Sequence, residues 1–162
     1  NTIFVLTSDH TNLSDHKEYQ TDLGIFGSPI IIFDPSGRIA PGRSKQIAQQ
    51  IDIMPTLLSY VGYPNSYIAF GKDLLSKSSI ENPEQTWAVN YLNGIYQYVE
   101  GDYVIQFDGT KLIAVYNYKK DWMLKHNLKG TVSSEQHLLQ RLKAIIQSYM
   151  QRMNEDKLTL SD

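Results

Sequence analysis

The apolar positions change period three times along the chain, and each change marks an element. Ile3-Phe4-Val5-Leu6 is a short continuous apolar run that breaks into the polar cluster Thr7-Ser8-Asp9-His10-Thr11-Asn12. Such a run predicts a buried strand of an α/β sheet, with the polar cluster at its carboxyl end, where ligands sit in open α/β sheets. Pro29 to Phe33 predicts a second buried strand, closed by the turn sequence Asp34-Pro35-Ser36-Gly37. Residues 11–28 between them are mixed and polar and read as a loop. Ile51 to Gly62 predicts a helix, with Asp52 capping its start, Pro55 in its first turn and Gly62 as its stop. Residues 63–84 read as irregular.

From Thr86 onward the pattern becomes an antiparallel meander. Thr86–Leu92, Ile95–Glu100, Tyr103–Phe107 and Leu112–Tyr116 are the strand candidates, with tight turns at Glu100-Gly101-Asp102 and Asp108-Gly109-Thr110. Alternation through Tyr103-Val104-Ile105-Gln106-Phe107 is imperfect, so the period does not say which face is buried. Leu138, Leu139, Leu142, Ile145, Ile146, Tyr149, Met150 and Met153 recur at helical spacing. They predict a helix from Ser134 to Met153 that packs one face on the meander, with Ser134 and Glu135 at its start. The fold class expected is α/β: a first part, residues 1–76, belonging to a main sheet, then an antiparallel unit over 86–155 covered by an amphipathic C-terminal helix.

Composition narrows the function. In 162 residues, 41% are hydrophobic and 20% charged, the profile of a globular domain rather than a disordered one. A formal net charge of −2 argues against nucleic acid as a partner, since a phosphate backbone needs a basic stripe. The absence of cysteine excludes disulfides, thiol catalysis and thiolate metal ligands. No apolar run approaches the roughly 20 residues of a membrane-spanning helix. Because Asn1 leads directly into strand-like sequence, the chain is expected to be cut from a longer protein.

The chemistry concentrates at Asp9-His10. A carboxylate and a neutral imidazole at a strand end can both reach one divalent ion: zinc or manganese for this mixed pair, magnesium or calcium where oxygen donors dominate. Two ligands do not close a site, so further donors are expected from elsewhere. Thr7, Ser8 and Thr11 read as neighbouring donors, because consecutive residues do not form a Ser-His-Asp triad. His16 lies six residues beyond His10 in the same loop. Arg38, Arg43 and Lys45 are candidates for contact with an anionic substrate, with surface solvation as the competing role. His126 and His137 read as structural.

Five segments in order resemble the sulfatase branch of the alkaline phosphatase superfamily. Thr2 to His10 resembles its strand and Asp-His motif, and Pro29 to Phe33 its following strand. Gln50-Ile51-Asp52-Ile53-Met54-Pro55-Thr56-Leu57-Leu58 resembles its Asp-x-x-Pro-Thr-Leu segment, and Phe70-Gly71-Lys72-Asp73-Leu74-Leu75 its Gly-x-x-Leu step. Ala114 to Tyr118, followed by Lys119-Lys120-Asp121 and His126-Asn127-Leu128, resembles its closing pattern. The phrasing of the third and fourth segments is most similar to the lipoteichoic-acid-synthase-like group, which transfers phosphoglycerol or phosphoethanolamine.

The resemblance implies that the chain is the C-terminal portion of such a domain. It implies Asp9 and His10 as ligands of a divalent metal (Mn, Mg, Zn or Ca) completed by groups outside the chain. His16 would stand on the substrate or leaving-group side, although Thr11 occupies the position where sulfatases usually place Gly. The nucleophile, a threonine or formylglycine forming a covalent intermediate, has no counterpart here, so the chain alone is expected to be inactive. The implied partners are an anionic lipid or glycan substrate, the N-terminal half of the same domain, and a second copy of the fragment through self-association. The implied location of the parent is the extracytoplasmic face of a bacterial cytoplasmic membrane. Two other readings stay open: a non-catalytic binding or accessory module, and a sulfatase acting on sulfated glycans.

Overall fold

The computed structural model describes residues 2–9, 11 and 15–160. Strands β1 (Phe4–Thr7) and β2 (Ile30–Phe33) pair antiparallel, Phe4 opposite Phe33 and Leu6 opposite Ile31. The segment between them is not featureless loop: it carries 3-10 turns at Lys17–Gln20 and Gly24–Phe26. A 3-10 turn at Gln50–Asp52 leads into helix α1 (Ile53–Tyr60), and α2 (Lys77–Glu81) is a short helix capped by Ser76. Strands β3 (Trp87–Leu92), β4 (Ile95–Glu100), β5 (Tyr103–Phe107) and β6 (Leu112–Asn117) form a meander in sequence order, and α3 (Glu135–Asn154) ends the fold.

The meander is the packed centre. Its β3–β4 connection is Asn93-Gly94, both left-handed (φ 52° and 84°), the two-residue turn whose twist matches that of the strands. Tyr98, Ile105, Phe107, Leu112 and Val115 face α3 and pack on Leu138, Leu139 and Leu142. Ala88, Val99 and Val104 point the other way and meet Leu23, Ile47, Tyr116, Tyr118 and Leu124. Both faces are therefore covered, and this is why β5 shows no clean alternation: Val104, Ile105, Gln106 and Phe107 are all buried.

Three local expectations need correction. Strand β1 is not buried: Phe4 and Leu6 are about half exposed, as are Ile31 and Phe33 opposite them. The α3 stripe packs on the meander as far as Ile146; beyond it Met150 and Met153 are exposed, and Tyr149, also exposed, meets Phe70 edge-on. Ser134 makes no side-chain cap; the Glu135 carboxylate instead accepts the Gly130 N–H at 2.7 Å. The sheet supplies apolar surface for about three turns of α3, and the helix runs on beyond it.

Candidate functional site

The Asp-x-x-Pro-Thr segment and the Gly-x-x-Leu step turn out to be two halves of one joint. Asp52 is fully buried. Its Oδ1 accepts the Lys72 N–H at 2.8 Å, and its Oδ2 accepts Lys72 Nζ at 2.8 Å and the Gln49 N–H at 2.9 Å. Lys72 Nζ also donates to the Trp87 carbonyl at 2.8 Å and lies over the Trp87 ring. One turn on, Thr56 Oγ1 donates to the Asp52 carbonyl and accepts the Leu74 N–H at 2.9 Å. Gly71 lets the two backbones meet: a Cβ there would lie 2.1 Å from the Ile51 carbonyl oxygen. Asp52 is thus more than a helix cap. It ties α1, the 71–74 segment and β3 into one rigid block, and a buried charge is tolerable because every acceptor has a donor.

That block holds the strand end where the chemistry was expected. Gln50, on the 3-10 turn immediately before Asp52, donates through Nε2 to the Ser8 carbonyl and to the Asp9 carbonyl, the latter at 3.1 Å. The backbone that carries Asp9 is therefore fixed from the α1 side. Gln49 next to it bridges to the outer edge of β3, accepting the Val89 N–H at 3.1 Å and donating to the Trp87 carbonyl. Neither glutamine stands out in the sequence, because a local pattern carries no sign of a bond that spans some 40 residues.

Asp9 lines an open cleft of 920 Å³ bounded by the 18–28 segment, the 47–51 segment, β3 and the Tyr118–Trp122 region. Thr11 also lines it, and its hydroxyl donates to the Ile25 carbonyl, folding the loop back on itself. The loop wall is anchored through Asp22, whose carbonyl accepts Gln97 Nε2 at 3.1 Å and whose carboxylate accepts Gln106 Nε2 at 3.2 Å.

The remaining candidates fall in different places. His10 lies outside the described residues. His16 stands before the first 3-10 turn, its ring 3.8 Å from the Glu18 carboxylate and largely exposed; Glu18 lines the cleft, while His16 is not among the lining residues. Arg38 is drawn into a cluster around buried Asp34, donating to Oδ2 at 2.9 Å and lying over the Tyr60 ring. Ser36 donates twice more to Asp34 and Tyr60 donates once, and these hydrogen bonds hold the carboxyl well below the usual carboxylate range. Arg43 and Lys45 are exposed and, like Arg38, do not line the cleft. His126 closes a loop, its N–H 2.7 Å from Asp121 Oδ2. His137 is exposed on α3.

Among the described residues, no three His, Cys, Asp or Glu side chains come together as a metal-holding group. Asp9 offers one oxygen donor of the type a divalent cation takes, and one donor is fewer than any such site needs. No helix among the described residues is long and apolar enough to cross a membrane.

No protein-family model matches the chain, and no curated protein does. Solved structures do. A protein in complex with its substrate D-glucosamine-2-N,6-O-disulfate superposes with a TM-score of 0.64 at 21% identity, over 92% of this chain and 35% of that one. A sulfatase from Bacteroides thetaiotaomicron gives 0.55 at 17% identity, over 99% of this chain and 39% of its own. A 2-O GAG sulfatase gives 0.57 at 17% identity with the same coverages, 99% and 39%. The chain thus spans little more than a third of each of these proteins, and at such identities the likeness speaks for the fold alone. In fold, the chain matches the C-terminal part of sulfatase domains.

Proposed function

We propose that the chain is part of a sulfatase-like enzyme of the alkaline phosphatase superfamily, which cleaves or transfers a sulfuric or phosphoric ester through a covalent intermediate on a nucleophile outside this chain. The observation that carries this reading is Asp9. It follows β1 directly, its backbone is pinned by Gln50, and it opens into the 920 Å³ cleft of a chain with sulfatase architecture. Asp9 and His10 would hold a divalent cation together with ligands outside the chain. When bound, such an ion lowers the pKa of the attacking oxygen and offsets charge developing on the transferred group. The residues present here orient rather than react: Gln50 sets the strand end, and the Asp52–Lys72 joint sets Gln50.

The finer assignment divides in two. Transfer of phosphoglycerol or phosphoethanolamine by an envelope-anchored bacterial enzyme is supported by the Gln50–Leu58 and Phe70–Leu75 segments. Hydrolysis of a sulfated glycan is supported by the neighbour that holds a disulfated glucosamine as its substrate. His16 is retained on the substrate side in either reading.

The test uses the full-length protein containing this chain, assayed with manganese on p-nitrophenyl sulfate and on a p-nitrophenyl phosphodiester. Asp9→Ala should reduce turnover by at least about a hundredfold and Gln50→Leu by about ten- to a hundredfold, the range for residues that orient metal ligands. Unchanged turnover in Asp9→Ala would leave the non-catalytic module as the surviving reading. The 162-residue chain alone should show no turnover above blank.

A further inference from the structure

The cleft beside Asp9 has an unusual lining. Among the described residues its walls carry two carboxylates, Asp9 and Glu18, and no lysine or arginine. Among the described residues these walls offer no lysine or arginine to an anionic group, so a part of a ligand that lies against Trp122 is held by packing and hydrogen bonds rather than by ion pairs. What they do offer is Trp122, with amide side chains at Asn90 and Gln50. The chain has two tryptophans. Trp87 is already engaged, tilted against Tyr98 and beneath Lys72. Trp122 belongs to neither packed cluster and is 49% exposed, although it lies in a concave surface. Keeping half an indole in water forgoes burial that the fold would otherwise gain.

We propose that Trp122 is the stacking face for an uncharged sugar ring, docked in the cleft so that its ester-bearing end points toward Asp9. A pyranose presents a face of C–H groups, which packs flat on an indole, and a rim of hydroxyls, which amide side chains can bind. Glycerol has no such face and gains nothing from the indole. This rests on the reading of Asp9 as marking the reacting end, but the sugar contact itself needs neither a metal nor a nucleophile.

The 162-residue chain is titrated with chitotriose, maltotriose and cellotriose, and with glycerol as control, following tryptophan fluorescence and ligand-observed NMR saturation transfer. At least one trisaccharide should shift the emission saturably, and glycerol should not. Trp122→Ala should weaken that sugar by about tenfold or more, and Trp122→Phe, which keeps a smaller ring, by less. Far-UV circular dichroism checks that each variant is folded. Arg43→Ala, exposed and outside the cleft lining, should bind the sugar as the parent chain does. Failure of all three sugars, or equal binding by folded Trp122→Ala, overturns the proposal and leaves the role of Asp9 standing. Loss of turnover sensitivity at Asp9 with sugar binding intact would overturn the enzymatic reading instead.

Discussion

At the residue scale, the clearest lesson is that two of the five segments bearing the family resemblance, those around Asp52 and Lys72, are mechanical. Asp52 and Lys72 form an ion pair whose carboxylate is fully buried and whose ammonium is mostly so, and removing one partner strands the other. Asp52→Ala should therefore lower the stability of the chain by about 3 kcal/mol, read as a fall in the urea midpoint at constant slope. Gly71→Ala should cost about 1–3 kcal/mol for a different reason, since the new methyl meets backbone that cannot swing aside. Asp34 supplies a pH signature. Its folded-state pKa lies below its unfolded value, so the ionised group adds stability above the ordinary carboxylate range, and that contribution fades as pH falls below about 4. Asp34→Asn should accordingly be less stable than the parent chain at pH 7, with the gap in urea midpoint narrowing steadily as pH falls below about 4. A gap independent of pH would mean that the four hydrogen bonds on Asp34 do not distinguish its charged from its neutral form.

At the element scale, helix α3 divides into a part packed on the meander, as far as Ile146, and a largely exposed part beyond it. Leu142 is fully buried against the meander, so Leu142→Ala should cost about 2–5 kcal/mol. Met150, two turns later and 41% exposed, should cost no more than about 0.5 kcal/mol on the same truncation. The periodicity of the stripe could not separate these parts, because 3.6-residue spacing reports which face is apolar and not how far the partner surface extends. The meander strands are a contrasting case. Their positions and turns were legible from alternating runs and Gly-centred turn sequences, yet the burial of β5 was not. Alternation is a signal for one wet face, and here loops and helix cover both.

At the scale of the whole molecule, the β1–β2 pair presents Phe4, Leu6, Ile31 and Phe33 together on one face, each about half exposed. Cross-strand neighbours in an antiparallel pair share a face, so these four make a continuous apolar patch. The chain should self-associate with rising concentration in sedimentation velocity, and the double substitution Leu6→Lys, Ile31→Lys should return it to a monomer without loss of helical signal. A single monomeric species at high concentration in the parent chain would show that the patch is covered from within.

The sequence alone determined the order of elements, the polar cluster at the end of β1 and the candidacy of Asp9, because periodicity, turn chemistry and a strand terminus are local properties written in consecutive residues. Only the tertiary structure decided what Asp52 is for, since a carboxylate before a helix reads as a cap until Lys72 and Trp87 arrive from 20 and 35 residues away. The same holds for Gln50, which became the residue that fixes Asp9 only when a long-range bond closed. It holds too for Trp122, which no sequence pattern marks and which the fold makes a half-exposed cleft wall. Exposure and hydrogen-bond partners depend on which segments meet, and that is a property of the folded chain.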